Sequence, residues 1–258
     1  MLDIEQIQSY YPENLKSFKK NILREYLQYK ILEIIYTSIY AKRLIFMGGT
    51  AIRVLHANER FSEDLDFDNK GLRKDGFEDL VDIIKKRMRL EGYNISVRNK
   101  FNDAFRSYIK IHDIMYQFSL TPHVKENIDI RLDTESQGYD YIPEKPFLNK
   151  FDVFTQIFSV TVEILLSQKI YAIFNRKRTM GRDFFDVVFL MGKAKPDYGY
   201  LKNKLGIRDK EVLRSRLLAL CDSIDLKMLS EDVKPFLFNP EDSKKVKLFS
   251  NFIRDVKL

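Results

Sequence analysis

Two aspartates separated by one residue, Asp64 and Asp66, are well suited to hold a divalent cation. On an extended strand both side chains project from one face, while Leu65 and Phe67 project from the other. Neighbouring carboxylates repel each other unless a cation lies between them. Mg²⁺ is usually held by one or two carboxylates together with substrate phosphates. The pair therefore predicts a magnesium site. The alternative is that one aspartate caps a neighbouring turn while the other is simply solvated.

A glycine turn precedes this pair along the chain. The apolar run from Leu44 to Met47 predicts a strand, and Gly48, Gly49 and Thr50 then lead into a helical pattern. Glycine lets another group approach the backbone closely, and the first amides of a helix attract phosphate oxygens. Phosphate-holding amides beside metal-holding carboxylates are what nucleotidyl or phosphoryl transfer requires. Taken alone, such a turn is most often a simple connection.

A third acid is expected on a neighbouring strand. Residues Ile128 to Asp133 alternate strictly, with apolar side chains on one face and charged side chains on the other. Asp129 and Asp133 share the charged face, and both stay candidate metal ligands. Ser62 precedes Asp64 by two residues and would turn its hydroxyl toward the same site, although a local hydrogen bond in a turn is the simpler interpretation.

The surrounding pattern predicts the elements that position these residues. Helical spacing extends from Asn14 to about Ala41, as one amphipathic helix or two, and from Lys74 to Leu90. Alternation predicts further strands at Asn94 to Lys100 and at Phe105 to His112. After Lys150 the pattern is helical nearly to the C-terminus. We therefore expect an α+β protein with a mixed β-sheet domain and flanking helices over residues 1–150, followed by an all-helical domain over residues 151–258.

Composition excludes several classes of protein. The 258 residues are 45% apolar and 31% charged, far from the composition of a disordered chain. One cysteine and three histidines provide neither a disulfide framework nor a zinc-finger spacing. Neither a secretory leader nor a run of about 18 apolar residues is recognisable, so we expect a cytoplasmic protein without a membrane partner.

Positive charge is concentrated in one part of the chain. The net charge is +7, and residues 169–216 alone contain 13 Lys and Arg but only 5 Asp and Glu. Such a region favours the phosphates of a nucleotide or a polynucleotide, and a solvated basic face is the plain alternative.

Two strings of sequence resemble one protein family. The string FMGGTAIRVLHANERFSEDLDFD is similar to the motif of the AbiEii-type toxin nucleotidyltransferases, which belong to the DNA-polymerase-β-like nucleotidyltransferase superfamily. The string QKIYAIFNRKRTMGRDFFDVVFL resembles the family's helical lysine, basic stretch and Arg-Asp-aromatic-aromatic-Asp helix. The resemblance extends from about Leu44 to Leu205. It implies a nucleotidyltransferase domain, a helical domain and an active site in the cleft between them.

The resemblance also implies roles for individual residues. The phosphate turn would consist of Gly48, Gly49 and Thr50, and the metal ligands would be Asp64 and Asp66. Relatives often carry a Lys two positions before the third acid, whereas this chain reads Asp129-Ile130-Arg131-Leu132-Asp133, so the position of that acid stays open.

The second string adds a base and an acid. Lys169 would contact phosphate, and Asp183 or Asp186 would be the acid of the last motif. Since Lys169 precedes Asp183 by 14 residues, the two would lie on separate, converging helices. Arg182 is a candidate for binding the nucleotide or an acceptor phosphate, and a structural ion pair with Asp183 is the equal alternative.

The family implies Mg²⁺, or Mn²⁺ in its place, as cofactor and an NTP as substrate. An NMP would be transferred to a hydroxyl acceptor, such as that of a tRNA, with release of pyrophosphate. The protein would be the toxin of a toxin-antitoxin or abortive-infection system in phage defence, with an antitoxin protein as partner. A kinase-like phosphotransferase acting on protein stays an alternative. A catalytically idle nucleotide- or RNA-binding regulator is a second, which the presence of both carboxylates disfavours.

Overall fold

The computed structural model describes residues 1–102 and 104–258, whose contacts divide into two compact units. The first unit comprises Met1–Ala51, Ser62–Gly138 and Ile142–Ser159. The second unit comprises Ile52–Phe61, Tyr139–Tyr141 and Val160–Leu258. Each unit thus combines segments that are distant in sequence, and the division into domains at residue 150 stays a prediction.

The strands of the described residues form two sheets. They are β1 (Leu44–Met47), β2 (Leu65–Asn69), β3 (Asn94–Phe101), β4 (Phe105–His112), β5 (Ile128–Glu135), β6 (Phe147–Lys150) and β7 (Val153–Gln156). Strands β1 to β5 form one mixed sheet in the order β1-β2-β5-β4-β3, where β2 and β5 run parallel and the other neighbours run antiparallel. Strands β6 and β7 form a separate antiparallel pair. The expected mixed sheet is confirmed.

Helices precede, connect and follow these strands. Those before residue 120 are α1 (Ile4–Gln8), α2 (Lys19–Tyr36), α3 (Gly48–His56), α4 (Lys74–Leu90) and α5 (Ile114–Gln117). Those after residue 160 are α6 (Val162–Asn175), α7 (Gly181–Met191), α8 (Tyr198–Leu205), α9 (Lys210–Cys221), α10 (Leu226–Val233), α11 (Lys244–Lys247) and α12 (Phe249–Asp255). Short 3-10 turns occupy Glu13–Leu15, Ala41–Arg43, Lys234–Phe236 and Pro240–Ser243. No helix of the described chain is both long and apolar enough to cross a bilayer.

Alternation along β5 separates a core face of the sheet from a polar face. Ile128, Ile130 and Leu132 are all at most 1% exposed. Helix α4 packs on β3 and β4, and its buried residues include Phe77 and Ile84. Because strand side chains alternate, the charged residues of β5 necessarily face the other way. One face of the sheet is therefore core, and the opposite face is available for chemistry.

Helix α2 differs from the amphipathic helix that its sequence predicts. Even Glu25, Gln28 and Lys30 are buried, because the helix packs against α1, α4, β5 and β7. Burial opposes the charge of Lys30, yet the carboxylates of Glu91 and Asp152 and that of Glu33 hold its pKa above the ordinary value. A helix buried on most sides must provide such partners for its charged residues.

The prediction of continuous helix after Lys150 is wrong at β7. Val153 and Thr155 are buried, whereas Phe154 is 67% exposed and its ring stacks on that of Phe147 at 5.4 Å. The strand's period of two is hidden within an apolar run, so the sequence pattern alone did not separate it from a helix.

Candidate active site

The pairing of β2 with β5 brings two of the predicted acids together. The parallel register places Asp66 opposite Asp133, while their neighbours Leu65 and Leu132 are fully buried. Asp129 lies four residues earlier on β5, opposite Lys110 of β4, and its side chain is 70% exposed. Of the two candidates for the third acid, the register therefore places Asp133 beside Asp66.

The glycine turn approaches the side chain of Asp66 directly. Met47, the last residue of β1, is the pairing partner of Asp66, and Gly48 follows with φ of +79°. A Cβ atom at Gly48 would lie 2.8 Å from both Cβ and Cγ of Asp66 and would overlap its carboxylate. Only glycine fits here, because the positive φ disfavours other residues and because a side chain would have no space beside Asp66. Helix α3 begins at this glycine, so the predicted turn Gly48-Gly49-Thr50 is already part of the helix.

Thr50 connects the turn to the start of β2. Its side chain is fully buried, and its hydroxyl donates a hydrogen bond to the backbone carbonyl of Asp64. The hydroxyl therefore holds the turn and the acidic strand together, while the amides of the turn remain the groups suited to phosphate. Gly49, beside it, is buried.

An arginine lies between two of the acids. The Arg131 guanidinium donates a hydrogen bond to Asp64, with an Nη2–Oδ2 distance of 2.8 Å, and its Nε is 2.7 Å from Oδ2 of Asp133. Arg106 of β4 adds a second cation, whose Nε is 2.9 Å from Oδ1 of Asp133. Burial opposes the charge of Arg131, but Asp64, Asp133 and Asp66 raise its pKa above the ordinary value.

The acids fit a magnesium ion by their chemistry. Within residues 1–102 and 104–258, no three His, Cys, Asp or Glu side chains are grouped as a metal centre. Asp66 nevertheless pairs with Asp133 in the sheet, and Asp64, directly before β2, is bound by Arg131 of β5. Carboxylate oxygens of this kind are the ligands that Mg²⁺ prefers. Two protein carboxylates suffice where substrate phosphates complete the coordination.

Helix α2 positions the chain just before Asp64. The buried amide of Gln28 donates hydrogen bonds to the carbonyls of Ser62 and Glu63 at 3.1 and 3.0 Å. Arg24 forms an ion pair with Glu63 at 2.8 Å. Ser62 is half-buried in this supported segment, and the direction of its hydroxyl stays a prediction. Sequence reasoning missed Gln28 and Arg24, because a polar residue within a helix gives no sign of the distant segment that it contacts.

In the second unit, α6 and α7 bring Lys169 and two aspartates together. The Nζ atom of Lys169 is 3.0 Å from Oδ1 of Asp183 and 2.9 Å from Oδ2 of Asp186. Lys169 is 7% exposed, and both aspartates are at most 1% exposed. The expected convergence of two helices is confirmed, and the lysine is compensated by two negative charges.

Arg60 and Asn58 complete the environment of Asp186. The guanidinium of Arg60 binds both carboxylate oxygens, and Asn58 donates a hydrogen bond to Oδ1 at 2.8 Å. Burial opposes ionisation of Asp186, but Arg60 and Lys169 overcome it and lower its pKa to about 2. Asp186 is therefore an ionised, enclosed carboxylate. Sequence reasoning used Arg60 only as part of the resembling string and missed this contact, because the partners are far apart along the chain.

The arginines of the basic stretch have different surroundings. Arg176 is paired with Asp183 at 2.8 Å, and Arg178 lies 3.6 Å from Asp232. Arg182, at the start of α7, instead lies over the ring of Phe236 at 6.0 Å. The ion-pair partners of Asp183 are thus Lys169 and Arg176, and the nucleotide-binding role of Arg182 stays a prediction.

The mixed sheet has a nucleotidyltransferase-like fold, which two solved structures share. JHP933 from Helicobacter pylori is 19% identical, with 91% of each chain covered and a TM-score of 0.56. A second Helicobacter pylori protein, described provisionally as a nucleotidyltransferase, is 20% identical, with 91% of this chain and 94% of that chain covered and a TM-score of 0.57. At these identities the likeness shows the fold alone.

Sequence comparison identifies the family. The family described as "Nucleotidyl transferase AbiEii toxin, Type IV TA system" matches residues 30–245. The chain belongs to this AbiEii nucleotidyltransferase family of toxins, which confirms the resemblance seen in its two strings. A comparison with curated protein sequences found no match.

Proposed function

We propose that this protein is a Mg²⁺-dependent toxin that transfers an NMP from an NTP to a hydroxyl of an RNA acceptor, releasing pyrophosphate. The observation that carries the proposal is the contact of Gly48 with Asp66, in register with Asp133. This contact joins a turn suited to phosphate with carboxylates suited to a metal. Membership of the AbiEii family supports the transferase class and an antitoxin partner. A tRNA acceptor, phage defence and a cytoplasmic site of action are part of the proposal.

Asp64 and Asp66 would hold the Mg²⁺ ion, with Asp133 as the third carboxylate. When bound, the ion neutralises phosphate charge and lowers the pKa of the attacking hydroxyl. The amides of Gly48, Gly49 and Thr50 would bind phosphate oxygens at the start of α3. Mn²⁺ has the same preference for carboxylate oxygens and would substitute for Mg²⁺.

The cluster in the second unit has two roles in this proposal. Asp186 is fully buried and bound by Arg60, so it acts as a positioning residue for Lys169. Lys169 contacts a substrate phosphate, in competition with the carboxylates of Asp183 and Asp186. Arg182 and Ser62 are proposed as further nucleotide contacts, Arg182 because a guanidinium suits phosphate and Ser62 because it precedes Asp64 by two residues.

The test determines which phosphate of the NTP is transferred, and to which molecule. Purified protein is incubated with Mg²⁺, total RNA and NTPs labelled at the α or the γ phosphate. We expect the α label in RNA and the γ label in pyrophosphate. In the Asp64→Asn/Asp66→Asn variant, labelling should fall at least about 100-fold, because metal stabilisation of the transition state is worth several kcal/mol. Asp82→Asn, an exposed substitution on α4, is the control and should keep full activity.

Two outcomes would overturn the proposal. Transfer of the γ label to protein would identify a kinase-like phosphotransferase that uses the same acids. Equal labelling by the wild type and by the Asp64→Asn/Asp66→Asn variant would remove these carboxylates from the reaction.

A further inference from the structure

The open face of the β3-β4 hairpin carries a regular array of positive charge. Arg98 and Lys100 on β3 and Arg106 and Lys110 on β4 all lie on this face, and the two strands contain no Asp or Glu. Residues of the opposite parity, such as Ile109, point into the core. We call these four cations the hairpin basic face. Their common sign favours a polyanion.

Strand register makes this face continuous with the acidic site. Lys100 is opposite Arg106, Arg106 is opposite Asp133, and Asp133 is opposite Asp66. The four residues form one row across the sheet, and three strand spacings of about 4.8 Å place Lys100 about 14 Å from Asp66. A chain lying along this row would therefore have its end at the carboxylates.

The cations of the hairpin basic face differ in how closely each is paired with an acid. Arg106 is paired with Asp133, and Lys110 is 3.8 Å from the exposed Asp129. Arg98 and Lys100, at the sheet edge, are exposed, and the guanidinium of Arg98 lies over the ring of Tyr108 at 4.9 Å. Cations and an aromatic ring on an open sheet are the groups that bind single-stranded nucleic acid.

We infer that the hairpin basic face binds the phosphate backbone of the acceptor RNA and directs its terminal hydroxyl to Asp64 and Asp66. This inference rests on the proposed function. Alternate residues of a strand repeat about every 6.7 Å, so Arg98 and Lys100 provide two separate cations at the end of the row that is farthest from Asp66. Arg98 and Lys100 contact phosphates behind the reacting end, and they provide affinity without contacting the reacting atoms.

Binding is measured separately from chemistry. A 5′-fluorescein oligoribonucleotide with a free 3′-hydroxyl is titrated with protein at several KCl concentrations, and fluorescence anisotropy gives the dissociation constant. For Arg98→Gln/Lys100→Gln we expect weaker binding and a slope of log K against log[salt] that is smaller by about 1.4, since each single-strand phosphate contact contributes about 0.7. The control, Lys19→Gln/Lys86→Gln, removes the same charge from exposed positions on α2 and α4 and should bind like the wild type.

Labelling then separates the two proposals. The KM for acceptor RNA should rise in Arg98→Gln/Lys100→Gln and stay unchanged in the control. If the wild type binds RNA through Arg98 and Lys100 but labels none, the proposed function fails and the binding surface stands. If the wild type labels RNA while the variant keeps the same KM and salt slope, the surface is wrong. Binding of poly-L-glutamate in preference to RNA would also overturn it, because the partner would then be an acidic protein.

Discussion

The guanidinium of Arg60 donates hydrogen bonds to both carboxylate oxygens of Asp186, with Nε–Oδ1 and Nη2–Oδ2 distances of 2.6 Å each. Both side chains are at most 1% exposed. Bidentate pairs of this kind are among the strongest charged hydrogen bonds in proteins, but their burial makes them costly to break. The pair therefore stabilises the second unit and holds Asp186 where it binds Lys169, whatever role the lysine has toward substrate.

Asp186→Asn should destabilise the protein by roughly 3–5 kcal/mol, because it leaves the buried charge of Arg60 uncompensated. The midpoint of urea unfolding, followed by circular dichroism, measures the effect. Asp129→Asn removes a carboxylate that is 70% exposed and should change stability by less than about 0.5 kcal/mol. Similar midpoints for the two variants would contradict the structural role of Asp186.

The lowered pKa of Asp186 predicts that the stability of the protein depends on pH. The pKa of this carboxyl is about 2 in the fold, below the ordinary value of 3.8, so its contribution is complete above about pH 5 and disappears as the pH falls toward 2. Urea unfolding at several pH values should therefore show the wild type and Asp186→Asn approaching each other in stability over this window. A constant difference down to pH 2 would show that the Asp186 charge is not responsible.

Gly48→Ala should impair both folding and transfer activity. Positive φ costs a non-glycine residue roughly 1–2 kcal/mol, and the new Cβ atom would in addition displace the Asp66 carboxylate. Gly206→Ala is the control, since Gly206 also has a positive φ, +69°, but no atom within 4 Å of its Cβ position. Both variants should lose stability, and only Gly48→Ala should lose activity beyond that loss. Equal activities would rule out a functional contact at Gly48.

Arg131→Gln should tighten Mg²⁺ binding about fivefold. The guanidinium competes with a metal for Asp64 and Asp133, and a contact that is 39% exposed is worth about 1 kcal/mol. Isothermal titration calorimetry without nucleotide measures the dissociation constant. Lys86→Gln removes the same charge from α4 and should leave it unchanged. Weaker metal binding in Arg131→Gln would show that the arginine supports the site instead of competing for it.

Asp133→Asn and Asp129→Asn should differ in activity. Asp133 is opposite Asp66 in the sheet, whereas Asp129 is opposite Lys110. We expect Asp133→Asn to lose at least about tenfold in labelling of RNA, which corresponds to 1.4 kcal/mol of transition-state stabilisation, and Asp129→Asn to keep its activity. The reverse result would place the third acid at Asp129.

Local sequence determined most of the elements and part of the site. The helix Lys74–Leu90 and the strands Leu44–Met47 and Phe105–His112 have the bounds that the pattern predicts, because their periodicity is strong and their ends are marked. The glycine turn and the aspartate pair were also visible in the sequence, because each consists of residues that are close along the chain, although β2 begins at Leu65, one residue after Asp64.

Tertiary structure decided the remaining relationships. Register decided that Asp133, and not Asp129, lies opposite Asp66, and register is set by pairing between strands distant in the chain. The contact between Arg60 and Asp186 joins residues 126 positions apart. Arg131 shared the polar face in the sequence pattern, but only packing of β2 beside β5 placed its charge between two acids. Sequence periodicity shows which residues of a helix or strand share a face. Packing between segments that are distant in the chain determines which other residues that face contacts.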